Sequence, residues 1–96
     1  MPANYKPKLL DETAARTRPD LIEIVESIAP LVHDSWSANK LKNGWKYDPV
    51  QSQELKHNPY LLPYEDLAED VKDLDRNTIW TTFAALIDLG YTIEKK

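Results

Sequence analysis

Leu21, Val25, Ile28 and Val32 recur three or four residues apart, and Val25, Ala29, Val32 and Trp36 trace a second row beside them. Apolar side chains at that spacing share one face of an α-helix, so the pattern predicts a helix with one buried side. Pro19 suits the first helical position, where its missing N–H costs nothing, and Asp20 and Glu23 suit the positive end of the helix. The helix should end at "KNG", with Asn43 or Gly44 in the left-handed conformation. Pro30 lies inside the pattern and removes one intrahelical hydrogen bond, which predicts a kink or a break near Ala29. Downstream, "YEDLAEDVKDL" predicts a short helix with Leu67, Val71 and Leu74 on one face. A last helix follows from about Asn77 to Leu89, with Ile79, Trp80, Phe83, Leu86 and Ile87 as its buried stripe and Gly90 as its stop.

The remaining segments lack a helical rhythm. Residues 1–18 carry Pro2 and Pro7, which bias their neighbours away from helix, and read as an extended arm. "YTIE" has the alternation of a short strand that could pair with this arm. "WKYDPVQSQELKHNPYLLP" is a proline-punctuated connector, long by the usual measure of loops inside one domain. The expectation is a mainly α protein: a compact helical domain with about three helices over residues 19–96, a long proline-rich connector and a short C-terminal strand.

Composition narrows the classes of function. A chain of 96 residues that is 42% apolar holds one domain with a thin core, for which self-association would add stability. The absence of cysteine excludes a disulfide framework and a thiolate metal site. No apolar run approaches the roughly 20 residues of a membrane span. The N-terminal residues lack the apolar stretch of a secretory signal, so a cytoplasmic location is expected. A net charge of −4 argues against general nucleic-acid binding, which draws on lysines and arginines that neutralise phosphates. That charge is uneven. Residues 33–47 hold Lys40, Lys42 and Lys46 against Asp34, a net charge of +2, whereas residues 65–75 oppose six carboxylates to Lys72 alone. Such polarity suits a small anionic ligand at one pole or head-to-tail contact between subunits.

The basic pole, "HDSWSANKLKNGWKY", is also the aromatic one. His33, Trp36 and Lys40 are spaced i, i+3, i+7 and line one stripe of a helix, a ring surface beside a donor and a cation. An aromatic, anionic small molecule needs those groups: a π-face to stack on and a charge-assisted contact for the anion. Trp36 equally continues the core row, so it is either core or binding surface, or one face of each. Lys42 adds a second cation. Trp45 and Tyr47 either clamp the connector onto the helices or form a pocket wall, and the hydroxyls of Tyr60 and Tyr64 in "PYLLPY" reach either backbone or ligand. Asp75 could cap the last helix, with Arg76 tied to the loop or to a facing carboxylate, or else gripping a phosphate. His33 and His57 lack metal-ligand spacing. Ser35 and Ser37 lie near His33 without the glycine-lined turn of an activated nucleophile, and no glycine-rich phosphate loop exists. No catalytic or metal residue, no cofactor and no enzymatic activity are expected.

The order "HDSW", "GWKYD", "HNPYLLPY", "DRN", "LGY" resembles the repeat domain of ryanodine receptors, whose consensus runs roughly H-D-x-W, G-W-x-Y-G, H-P-x-L-V-P-Y, D-R-N and L-G-Y. The likeness runs from Tyr5 to Ile93. It implies a mostly helical module with minor strand, found in tandem inside calcium-release channels and as stand-alone, single-repeat bacterial or phage proteins. It further implies a non-catalytic role in holding a nucleotide-derived small molecule, and a homodimer resembling the tandem pair. His33, Trp36 and Lys40 fall on the first motif. Three positions depart from the family pattern: Asp48 replaces a glycine, Pro30 interrupts the first helix, and Tyr60 stands where some nucleotide-holding repeats have a basic residue, a lost cation that weighs against a triphosphate. The expected function is a nucleotide-like ligand-binding module using His33, Trp36, Lys40, Lys42, Trp45, Tyr47, Tyr60 and Tyr64; the alternative is a structural or interaction module with no small ligand.

Overall fold

In a computed structural model that describes residues 4–96, three helices carry the chain: α1 (Thr13–Arg16), α2 (Pro19–Lys42) and α3 (Glu69–Asp88). The protein is mainly α, as the periodicity requires. A two-residue parallel pair, β1 (Lys46–Tyr47) with β2 (His57–Asn58), and a 3₁₀ turn at Tyr64–Asp66 complete the regular structure of the described residues.

α2 begins where Pro19 occupies the first turn after an extended Arg18. The Asp20 carboxylate accepts from the Leu21 amide at 3.0 Å and pairs with Arg18, so the free N–H end of the helix faces negative charge. Of the kink or break expected near Ala29, the break does not occur: the helix runs on through Pro30. Packing explains this continuity: Val25, Ala29 and His33 are buried on both sides of the proline, so burial of that face outweighs one lost hydrogen bond.

Both long helices stop in the same way. Gly44 (φ +88°) and Gly90 (φ +93°) take the left-handed conformation. The amides of Trp45 and Tyr91 then donate back to the Lys40 and Leu86 carbonyls, while Gly44 and Gly90 donate to Leu41 and Ile87. These paired bonds satisfy carbonyls that the helix itself leaves open, and they use the only two glycines in the sequence.

The expected division into a helix ending near Leu74 and another starting at Asn77 is not found. α3 crosses "DLDRN" without interruption, because that polar run contains neither glycine nor proline and projects its charges to partners on α2. Asp75 is consequently an interior helical residue and caps nothing. The "YTIE" strand is also absent: residues 91–96 carry no strand and are fastened by Arg18, whose Nη2 donates to the Ile93 carbonyl at 2.7 Å. The strands lie instead within the connector, where Lys46 pairs with His57 and Tyr47 with Asn58.

The first three residues of the proposed N-terminal arm lie outside the described residues. Residues 5–12 have no regular structure, and the arm then folds into α1, which sets fully buried Ala15 against α3. Thr81 donates to Glu12 at 3.0 Å, and the Arg16 guanidinium lies 5.2 Å from the Trp80 ring centre. One core joins these elements: Ala15, Leu21, Val25, Ala29, Tyr64, Leu67, Ile79 and Trp80, with Ile28, Val32, Leu62, Val71, Phe83, Ile87 and Ile93 around it. No helix among the described residues is long and apolar enough to cross a membrane.

Two substitutions test this packing. Pro30→Ala restores the missing amide donor and should stabilise the fold by about 1–3 kcal/mol in urea unfolding. A loss instead would show that the helix needs the ring at that position. Trp80→Ala empties the α1–α3 contact and should cost roughly 3–5 kcal/mol.

Candidate functional site

The helical stripe that begins with His33 ends in a cavity. His33 and Trp36 from α2, Tyr60 from the connector, and Val71, Leu74, Asp75 and Thr78 from α3 enclose about 260 Å³. The α3 residues sit at i, i+3, i+4 and i+7, one face of one helix, so the continuity of α3 is what builds this wall.

His33 is only 3% exposed, with a polar group facing each ring nitrogen. Its Nε2 lies 2.7 Å from the Leu62 carbonyl, which can only accept, so Nε2 carries a proton. Its Nδ1 lies 3.5 Å from Asp75 Oδ2. The Ser37 hydroxyl stands 3.4 Å from Nε2. Burial pushes the Asp75 carboxyl above its ordinary value, and the nearby imidazole partly offsets this. The His33 ring stacks on Trp36 at 5.5 Å between centres with a 25° tilt, and Tyr64 lies on another side at 6.4 Å. His33 thereby ties α2 to the connector and to α3 at once.

Trp36 is half-buried and stands outside the core cluster; it lines the cavity and also a cleft on the outer face of α2. Lys40, one turn further along α2, places its ammonium 5.8 Å from the Trp36 ring and 4.4 Å from the Trp45 ring. Trp45 is brought there by the turn at Gly44. Among the described residues no carboxylate lies within ion-pairing distance of Lys40, Lys42 or Lys46. Lys42 is exposed in the last turn of α2.

Tyr60 enters the cavity because the Asn58 side chain accepts the Tyr60 amide at 2.7 Å and shapes the turn between them. Tyr47 belongs to a second cleft, lined also by Asp34, Ser37, Leu41, Leu61, Leu62 and Pro63. Tyr64 is buried and lines neither. Its hydroxyl donates to Glu26 at 3.2 Å, and burial, followed by the Glu26 charge, raises its pKa. Of the eight residues drawn from the sequence, the structure brings His33, Trp36 and Tyr60 to the cavity, sets Lys40 against the Trp36 ring and Trp45 against Lys40, and places Lys42, Tyr47 and Tyr64 elsewhere. Val71, Leu74, Asp75 and Thr78 were missed as a group. Their shared face is visible in the spacing once the helix is taken as continuous.

Arg76 anchors the acidic pole. It bonds Glu26 on α2 through Nε and Nη2, and Glu69 (2.8 Å) and Asp73 (3.0 Å) on α3 through Nη1. Its guanidinium is spent on carboxylates and not on a ligand. The arginine holds the Glu26 and Glu69 carboxyls below their usual range.

These elements define a small, mainly helical module with an aromatic cavity lined by both of its long helices and by the connector. The family model of the RyR domain matches residues 5–95, and the chain belongs to that family.

The Glu26 pairing has a pH signature. Because the folded carboxyl titrates below its ordinary value, its contribution is present at neutral pH and is lost as pH falls through that depressed value. Glu26→Gln should therefore be less stable than the parent at neutral pH, and the difference should shrink steadily in acid. Denaturant midpoints measured across this range check it; a difference constant with pH would refute the assignment.

Proposed function

We propose that this RyR domain is a non-catalytic module that binds a nucleotide-like small molecule, with the ring system in the His33–Trp36–Tyr60 cavity and the anionic end at Lys40. The observation that carries this reading is the Lys40 ammonium 5.8 Å from the ring of Trp36, a cavity wall, with no carboxylate among the described residues within ion-pairing distance. Stacking on an aromatic side chain is worth about 1–3 kcal/mol per base, and an unpaired ammonium at the rim adds attraction to a phosphate. Lys42 and Lys46, from the same end of α2 and β1, extend the positive field.

A second reading, an interaction module acting as a homodimer, draws on the outer face of α2. Leu31 is 65% exposed there, and with Val32, Ser35, Trp36 and Asn39 it lines a shallow cleft. A second copy seated on that face would cover an apolar surface that otherwise meets water. Sedimentation of the parent and of Leu31→Lys over a range of concentrations distinguishes the two states: association that the lysine abolishes supports this reading.

For the ligand reading, thermal unfolding with ATP, ADP-ribose and cyclic nucleotides is the direct test. A ligand at one hundred times its dissociation constant should stabilise the native state by about 2.7 kcal/mol. Lys40→Ala should weaken phosphorylated ligands more than their nucleosides. Absence of any shift across the set would overturn the proposal.

A further inference from the structure

The cavity that Trp36 lines has a polar complement of its own, and it is wrong for phosphate. No lysine or arginine is among its lining residues, and the one acidic group there is Asp75. The Asp75 carboxylate has the His33 ring at 3.5 Å and, among the described residues, no other hydrogen-bond or ion-pair partner. A carboxylate has about four lone-pair positions, so most of its accepting capacity is open. Thr78 has committed its hydroxyl proton to the Leu74 carbonyl at 3.0 Å, which leaves that oxygen as an acceptor. His33 offers no free group, because Nε2 donates to Leu62 and Nδ1 faces Asp75. On α3 the cavity is therefore rich in acceptors, with aromatic rings opposite.

Size adds a second constraint. About 260 Å³ lies just under the roughly 300–1,000 Å³ of pockets that enclose drug-sized ligands, so one ring system fits and a sugar phosphate stays outside.

We propose that the cavity recognises a flat amino-heterocycle by an edge carrying adjacent N–H donors, of the kind guanine presents, with Asp75 as the specificity-determining acceptor and His33 as the residue that positions it. This rests on the ligand-binding reading above and names the chemistry of its ring. Two neighbouring N–H groups match the two oxygens of a carboxylate in a bidentate contact, in the geometry by which carboxylates pair with guanidinium forks. A ring edge made of carbonyl oxygens would instead set acceptor against acceptor in a partly desolvated site, which a site built for donors strongly rejects.

Calorimetric titration of the full chain with GMP, IMP and AMP tests this. IMP differs from GMP only in lacking the exocyclic amine, so the pair isolates one donor. The parent protein should bind GMP at least about tenfold more tightly than IMP, the loss expected when a buried acceptor goes unpaired. Asp75→Asn, which keeps the shape but adds a competing donor, should bring the ratio close to one. Circular dichroism confirms that this variant is folded, and 1-methyl-GMP, which blocks one donor, gives the same readout on the parent protein. Equal binding of GMP, IMP and 1-methyl-GMP by the parent, or a preference that persists in folded Asp75→Asn, overturns this inference while leaving nucleotide binding standing. No binding of GMP, IMP, AMP or any ligand in the thermal series overturns both.

Discussion

A buried imidazole holds this small protein in register. His33 sits at the middle of α2 with one nitrogen bonded to the connector at Leu62 and the other facing α3 at Asp75. Burying a polar ring is costly unless its nitrogens are accommodated: Nε2 bonds the Leu62 carbonyl, and Nδ1 lies 3.5 Å from the Asp75 carboxyl. The two partners come from segments distant in sequence, so satisfying His33 requires the connector and α3 to be in place together. The cavity follows from this arrangement, because Trp36 stacks on the same ring and α3 presents Asp75 and Thr78 beside it.

A second, more exposed tie works in parallel. Arg76 collects carboxylates from α2 and α3, and the Tyr64 hydroxyl shares Glu26 with it. Exposed ion pairs contribute little individually, yet a guanidinium shared among three carboxylates fixes geometry better than any single pair. The acidic pole that seemed free for partners in the sequence is thus partly consumed inside the fold. The basic pole is not: Lys40, Lys42 and Lys46 keep their charges unpaired among the described residues.

Much of this architecture was legible from residue spacing. The apolar rows of α2, the two glycine stops and the family motifs all express local rules that the tertiary structure does not override. The misread places share a cause, which is that local signals were outvoted by distant contacts. Pro30 looked like a breaker, but buried residues on either side hold the helix together. "DLDRN" looked like a boundary because aspartate and asparagine favour helix starts, whereas here the aspartate answers to His33 and the arginine to Glu26. "YTIE" had strand character, but the arm it was expected to pair with forms no strand over residues 4–12. The α3 wall of the cavity was invisible for the same reason: once the helix had been divided, Val71 and Thr78 no longer belonged to one face.

The turn at Gly44 has a reach beyond ending a helix. Lys40 meets Trp45 twice, its carbonyl accepting the Trp45 amide at 3.0 Å and its ammonium lying 4.4 Å from the indole centre. Backbone handedness at one glycine is therefore transmitted through three atoms of main chain into the placement of a side-chain ring. A left-handed backbone, which a residue without Cβ adopts at no steric cost, is what lets the charged last turn of α2 be lidded by Trp45.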